Sequence, residues 1–243
     1  KIAARLRLDG PGTDLLGASI AARDEAGNGF SERELVDQIA VFFLAGHETT
    51  ASTLTWLLLI LSQEPSAVAA LREEADRVLD GGPPTFAALK RLERTRAAIQ
   101  ETLRLYPPGA FLPRVALRDT MLGGLTLKRG TMVLISPWII HRHRHLWDAP
   151  DAFVPSRFAA DAPRPVAGSY LPFGLGPRAC IGGAFALAEA QLAVAMIVHR
   201  FEIAVDGADT ARPAVHLTLR PRDPVTARFL PRGAKGASRN AQQ

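Results

Sequence analysis

The sequence predicts a mainly α-helical chain with small β-sheets, an α+β fold, and three observations predict it. Residues 31–62 carry a helical pattern nearly thirty residues long. After Tyr106-Pro107-Pro108 the pattern changes to short apolar runs broken by glycine. Residues 149–176 then form a Pro- and Gly-rich stretch of little periodicity ahead of one last helix.

Residues 1–8 read as the continuation of an amphipathic helix, and a preceding segment is expected, since the chain opens on Lys1 with no signal peptide. Residues 14–23 form a short helix, stopped by Gly27-Asn28-Gly29, where positive φ is tolerated. Ser31, with Glu34 three residues on, makes a capping box for the long helix, and Pro65 opens the next one. Val68, Leu71, Ala75 and Val78 recur at helical spacing, and residues 86–105 give a further helical region closed by the Pro pair. Residues 114–134 hold small antiparallel strands, with Gly123-Gly124 and Lys128-Arg129-Gly130 between them. The final helix covers residues 184–200. Two strand-like runs within residues 215–230 then flank Pro221-Arg222-Asp223-Pro224 as a hairpin.

A chain of 243 residues, 47% hydrophobic and 22% charged, is a single globular domain with a sizeable core rather than a disordered polymer. The net charge of +5 is heaviest near the end, around Arg228, Arg232, Lys235 and Arg239. Those residues are scattered among Pro and Gly without interleaved aromatics, so residues 233–243 read as a flexible basic tail and no nucleic-acid partner is expected. One cysteine excludes an intrachain disulfide and a multi-cysteine zinc site, and fits a reducing compartment. Residues 41–61 are long and apolar enough for a bilayer, but Gly46, His47, Glu48 and a run of Thr and Ser interrupt them. They read as a buried helix with a polar site in it, not as a membrane segment. The Arg- and Ala-heavy usage fits a cytoplasmic protein of a bacterium with a GC-rich genome.

Two strings carry chemistry. Phe173-Gly174-Leu175-Gly176-Pro177-Arg178-Ala179-Cys180-Ile181-Gly182 sets the cysteine just ahead of a helix N-terminus, where the helix dipole and free N–H groups favour a thiolate. The glycines let the backbone approach a flat macrocycle that a Cβ would strike. Ala45-Gly46-His47-Glu48-Thr49-Thr50 interrupts the long helix with residues that weaken it, which predicts a kink or a widened groove. Glu101-Thr102-Leu103-Arg104 places opposite charges three apart, by itself an ordinary surface pair.

The cysteine string (Phe, two residues, Gly, one, Arg, one, Cys, one, Gly) resembles the cysteine loop of the cytochrome P-450 family, and the match is complete. The resemblance implies a cytochrome P-450 fold, incomplete on the N-terminal side, with residues 1–232 as the C-terminal haem-binding portion of one domain. It implies haem b as cofactor and Cys180 as the iron ligand. Phe173 packs near the sulfur, Gly174 and Gly182 frame the loop, and Arg178 and Arg114 hold propionates. Thiolate ligation favours O–O cleavage. Glu48 and Thr49 are, by resemblance, the acid and alcohol that relay protons, while His47 lines the groove. Glu101 and Arg104 correspond to a buried pair completed by Arg157, a structural set.

Substrate-facing positions implied by resemblance are Phe42, Ala45, Ala110, Phe111, Leu112, Leu217 and Thr218, which suit an apolar small molecule. The implied activity is monooxygenation with electrons from a ferredoxin or flavin reductase type donor. A peroxide-driven enzyme and a non-catalytic haem-binding remnant are the alternatives. The tract His141-Arg142-His143-Arg144-His145 alternates at strand period, which would suit zinc. In the family this segment precedes the long loop, and one of its basic residues is expected near a propionate.

Overall fold

The computed structural model describes residue 5 and residues 12–80, 82 and 84–233. The amphipathic run at residues 1–8, save Arg5, and the basic tail beyond residue 233 lie outside the described residues. The chain divides into two units, Lys1–Glu48 and Thr49–Gln243.

In the first unit, helix α1 (Leu15–Ala21) is capped by Asp14, whose Oδ1 accepts the Gly17 N–H at 2.8 Å and whose other oxygen pairs with Arg5. The helix stops two residues short of the expected Arg23, because that guanidinium turns back onto the carbonyls of Ile20 and Ala22. Helix α2 (Glu32–Leu61) begins on the expected box: the Ser31 N–H donates to Glu34 at 2.8 Å, and the Glu34 N–H donates to Ser31 Oγ at 3.3 Å. It runs its 30 residues as one α-helix, with no break at residues 45–50. Nor is it buried along its length. Val41, Phe43 and Leu44 are exposed, and its buried apolar side chains are Leu35 near the start and Trp56, Leu57, Leu59 and Leu61 near the C-terminal end.

In the second unit, those last turns pack with α3 (Pro65–Leu79), α4 (Glu93–Leu105) and α6 (Gly183–Arg200). Their shared core holds Leu57, Leu61, Leu71, Ala75, Ile99, Leu103, Val194 and Val198. Each fully buried aliphatic side chain contributes about 1.5–3 kcal/mol. The helical run expected over residues 86–105 is two elements, a 3₁₀ segment Phe86–Arg91 and then α4, parted at the buried Leu92. Because Leu92 cannot cap α4, the cap comes from α3. Buried Glu74 accepts the Arg94 N–H at 2.7 Å on one oxygen, and the Thr95 N–H at 2.8 Å and hydroxyl at 2.7 Å on the other.

Among the described residues the strands form four two-stranded antiparallel sheets. β1 (Leu112–Val115) pairs with β4 (Met132–Ile135), and β2 (Thr120–Leu122) with β3 (Leu125–Leu127) across Gly123-Gly124. Both of those glycines have positive φ, +55° and +80°, as a tight hairpin demands. The hairpin expected around Pro221–Pro224 is not there. β7 (Leu219–Pro221) pairs back onto β6 (Pro213–Val215), while β8 (Thr226–Pro231) pairs with β5 (Phe201–Asp206), which leaves α6 directly. The alternation of Phe201, Ile203 and Val205 was the overlooked strand signal. Among the described residues no single helix is long and apolar enough to cross a membrane. Only α2 and α3 together, bent by 115°, reach that length and composition.

Glu74→Ala leaves two buried N–H groups at the start of α4 without an acceptor. Its urea midpoint is expected to fall by the equivalent of about 1–3 kcal/mol with an unchanged m-value, Glu74→Gln losing less.

Candidate functional site

The loop from Phe173 to Cys180 is closed by one backbone bond, Cys180 N–H to Phe173 O at 2.8 Å. Inside it Gly174 and Gly176 both sit at φ +72°, where an L side chain is strained, and Gly176–Arg178 make a single 3₁₀ turn. The Phe173 ring lies against the first residue of α6. A Cβ on Gly183 would come within 3.1 Å of the ring, so a side chain here would require the ring to move back by a few tenths of an ångström. Gly182, the N-cap of α6, supplies no side-chain acceptor, and the helix N-terminus faces the cysteine without a competing cap.

The Cys180 thiol is exposed, and so are the apolar side chains around it, Leu175 (72%), Ile181 (90%) and Phe185 (74%). A thiol on an apolar, side-chain-poor face is the donor set for a flat organic ligand whose metal takes one protein sulfur. It is not the donor set of a protein-built metal centre: among the described residues no group of three or more His, Cys, Asp or Glu could hold an ion.

Strand β1 meets this loop, since a Cβ on Gly174 would sit 4.0 Å from Leu112 Cδ1. Arg114, two residues on, is exposed and rests its guanidinium on the neighbouring Pro113 carbonyl at 2.8 Å; Arg178 is exposed as well. The turn between β6 and β7 is fastened to the last turns of α2, because Leu219 O accepts Ser52 Oγ at 2.5 Å and Trp56 Nε1 at 3.0 Å, while Leu219 N–H donates to Pro108. Leu217 (81%) and Phe111 (40%) are thereby presented to the outside. Ala110 and Thr218 are not, at 3% and 4% exposure. These two candidate pocket residues are buried, and Ala110 spends its carbonyl on Ser136. Phe42, Glu48 and Thr49 lie half-buried on α2 and Ala45 exposed, with His47 stacked on Phe43 one turn earlier.

The Glu101–Arg104 pair is fully buried rather than a surface pair. Arg104 Nε and Nη2 grip the two Glu101 oxygens at 2.7 and 2.8 Å, and its remaining N–H groups reach the carbonyls of His141, Pro150 and Ala152. Glu101 also accepts the Val154 N–H at 2.8 Å and Arg157 Nε at 3.3 Å, and Arg157 in turn holds the carbonyls of Asp148 and Ala149. One ion pair on α4 therefore fixes residues 141–157.

His141, singled out in the sequence only as part of a tract, is a further member of this network. Its Nδ1 lies 3.1 Å from the Arg104 carbonyl, and its Nε2 is 2.7 Å from the Leu171 N–H. An N–H can donate only to an unprotonated Nε2, so the ring is neutral with its proton on Nδ1. Burial drives its pKa down to about 4. The tract is not a strand: it follows a one-turn helix, α5 (Pro137–Ile140), and only His143, Arg144 and His145 face out. A zinc site shared by three histidines is thereby ruled out, since His141 is buried and already bonded at both nitrogens.

A family model for cytochrome P450 matches residues 4–228. The chain belongs to the cytochrome P450 family. It is 43% identical over 216 residues to cyclooctatin synthase of Streptomyces melanosporofaciens, covering 88% of this chain and 45% of that protein. It is 39% identical to pentalenene oxygenase of Streptomyces avermitilis (85% and 46%), and 39% identical to the chloroplastic protein LUTEIN DEFICIENT 5 of Arabidopsis thaliana (85% and 36%). The crystal structure of the cytochrome P450DA haem domain superposes with a TM-score of 0.88 at 34% identity, covering 95% of this chain and 51% of that one. The chain thus spans less than half the length of these curated relatives and about half of that solved P450 haem domain.

Two outcomes are expected of the buried network. Arg104→Met strands a buried carboxylate and is expected to cost about 3–5 kcal/mol of stability, measured by urea unfolding. Between pH 6.5 and about 4 the unfolded His141 ring takes up a proton that the folded ring refuses, so stability is full above 6.5 and falls as the pH drops through that interval. In His141→Asn that part of the pH dependence, on the order of 3 kcal/mol, is expected to vanish from the unfolding midpoints.

Proposed function

We propose that this chain is the thiolate-bearing portion of a haem-dependent monooxygenase acting on an apolar small molecule. The observation that carries the reading is the exposed Cys180 thiol, set on a glycine-built turn at the start of α6 and surrounded by exposed apolar side chains.

When bound, haem b with a thiolate on its iron supplies activation of O2. One oxygen atom enters a substrate C–H bond and the other leaves as water, with two electrons from a donor and two protons from solvent.

The chain's own residues do the rest. Cys180 stands just ahead of α6, whose N-terminus no side chain caps, and Phe173, against Gly183, walls the loop that carries the sulfur. A Cβ on Gly182 would stand 3.9 Å from Sγ, so a glycine there leaves the space beside the sulfur open, while Gly174 at φ +72° shapes the turn. The guanidinium groups of Arg178 and Arg114 are suited to the two propionates, where a planar fork matches a carboxylate. Glu48 and Thr49 are adjacent on α2, and a carboxyl followed by a hydroxyl can pass protons inward from water. Phe111, Leu112 and Leu217 offer the substrate apolar side chains from the second unit, and Phe42 and Ala45 on α2 are the further substrate-facing positions that the family resemblance implies. Relatives named pentalenene oxygenase and cyclooctat-9-en-7-ol 5-monooxygenase support oxygen insertion into such molecules. A ferredoxin or flavin reductase type donor and a cytoplasmic location complete the proposal.

Reconstitution with haem, reduction and addition of carbon monoxide tests it. A Soret band at the red-shifted position of a thiolate-ligated ferrous carbonyl is expected, lost in Cys180→Ala. A band of histidine or neutral-thiol ligation, or one indifferent to Cys180→Ala, would overturn the assignment of the ligand.

A further inference from the structure

The tract from residue 138 to 145 has a second face that the charge network does not use. Trp138, Ile139, Arg142, His143, Arg144 and His145 converge on a pocket of about 490 Å³. The backbone makes it concave. Residues 143–147 curl into a tight turn, with Leu146 N–H and Trp147 N–H both donating to His143 O at 2.8 and 3.0 Å, and buried Trp147 anchors its far end.

The charges are held in place as well. The Arg142 guanidinium lies 3.6 Å from the centre of the Trp138 ring and 5.4 Å from that of Tyr106, which itself stacks on Trp56 at 3.9 Å. Its Nε pairs with the exposed Asp151 at 3.5 Å, while its buried Nη1 has no hydrogen-bond partner. His143 Nδ1 accepts the His145 N–H at 3.3 Å, which turns its Nε2 edge outward. The two imidazole rings stand 5.4 Å apart and tilted by 45°, both exposed beside the exposed Arg144.

Such a site has donors and no acceptor carboxylate among its lining residues. Two imidazole edges and a guanidinium fork offer more N–H groups than the two oxygens of a carboxylate can accept, but they match the three oxygens of a phosphate monoester. Arg142, stacked and immobile, adds a fixed positive field behind them. A divalent cation is the poorer fit, since two histidines would have to hold it next to two arginines.

The geometry points to a phosphate-binding site at this pocket, in which His143, Arg144 and His145 take the phosphate oxygens while Trp138 and Ile139, the latter 60% exposed, meet an adjoining apolar part of the ligand.

Ring C–H signals of the histidines, followed by NMR in the full haem-loaded chain during titration with inorganic phosphate or pyrophosphate, test it. Saturable shifts at His143 and His145 but not at His216 are expected, weakened by about tenfold or more in Arg144→Gln and in His145→Gln, both surface changes that spare the core. A second arm asks whether phosphatidate vesicles retain the protein when phosphatidylcholine vesicles do not. Retention lost in the same variants assigns the phosphate to a lipid headgroup, and saturation by free phosphate alone assigns a soluble ligand. Shifts that only track ionic strength, shifts unchanged in both variants, or saturation by zinc in place of phosphate would each overturn the proposal.

Discussion

The ion pair between Glu101 and Arg104 is the interaction on which the second unit of this molecule rests. Two opposite charges three residues apart on a helix are ordinarily worth a few tenths of a kcal/mol, because water solvates both. Here neither side chain touches water, and the desolvation is offset only because every donor of Arg104 finds an oxygen and Glu101 gains two further donors. Those extra partners are four backbone groups and the Arg157 side chain, all from residues 141–157, a segment with almost no regular secondary structure. The pair thus converts the rigidity of α4 into rigidity of a loop that has no ladder of its own.

From that loop the constraint passes to the cysteine. Neutral His141 joins the Arg104 carbonyl to the Leu171 N–H, two residues before Phe173. Tyr170 reaches Gln100 on α4 with its hydroxyl at 2.9 Å and packs its ring on Phe158 and Trp147. The start of the cysteine loop is therefore anchored twice to the same helix. Its end is anchored by Phe173 against Gly183 of α6, which packs on α4 in the common core. An exposed thiol is held in one place by buried groups on either side of it, which is the arrangement that preorganised metal ligation needs.

The histidine and arginine tract shows how one short segment divides its labour. Alternation suggested a strand presenting one kind of residue on each face. A one-turn helix followed by a turn instead sends His141 into the core, lays Arg142 on Trp138, and leaves His143, Arg144 and His145 at the surface. Neighbours in sequence thus act in different places, one in the fold and four at a candidate binding pocket.

Much of the local structure was legible because it depends on neighbours in sequence. The capping box at Ser31 and Glu34, the Pro65 start, the Gly123-Gly124 turn and the cysteine string are short-range chemistry, and the motif around Cys180 pointed to the family that the comparisons show. Partners distant in sequence were not legible. The cap on α4 comes from Glu74, twenty residues upstream, β5 pairs with β8 rather than with its neighbour, and His141 matters through Leu171. The sequence by itself determined most of the helices and turns and the family to which the cysteine loop belongs, since these follow from backbone preferences and a contiguous pattern. Only the tertiary structure decided which charges lose their water. Burial is a property of what packs around a group, and it alone turned Glu101 and Arg104 from a surface pair into the centre of the fold.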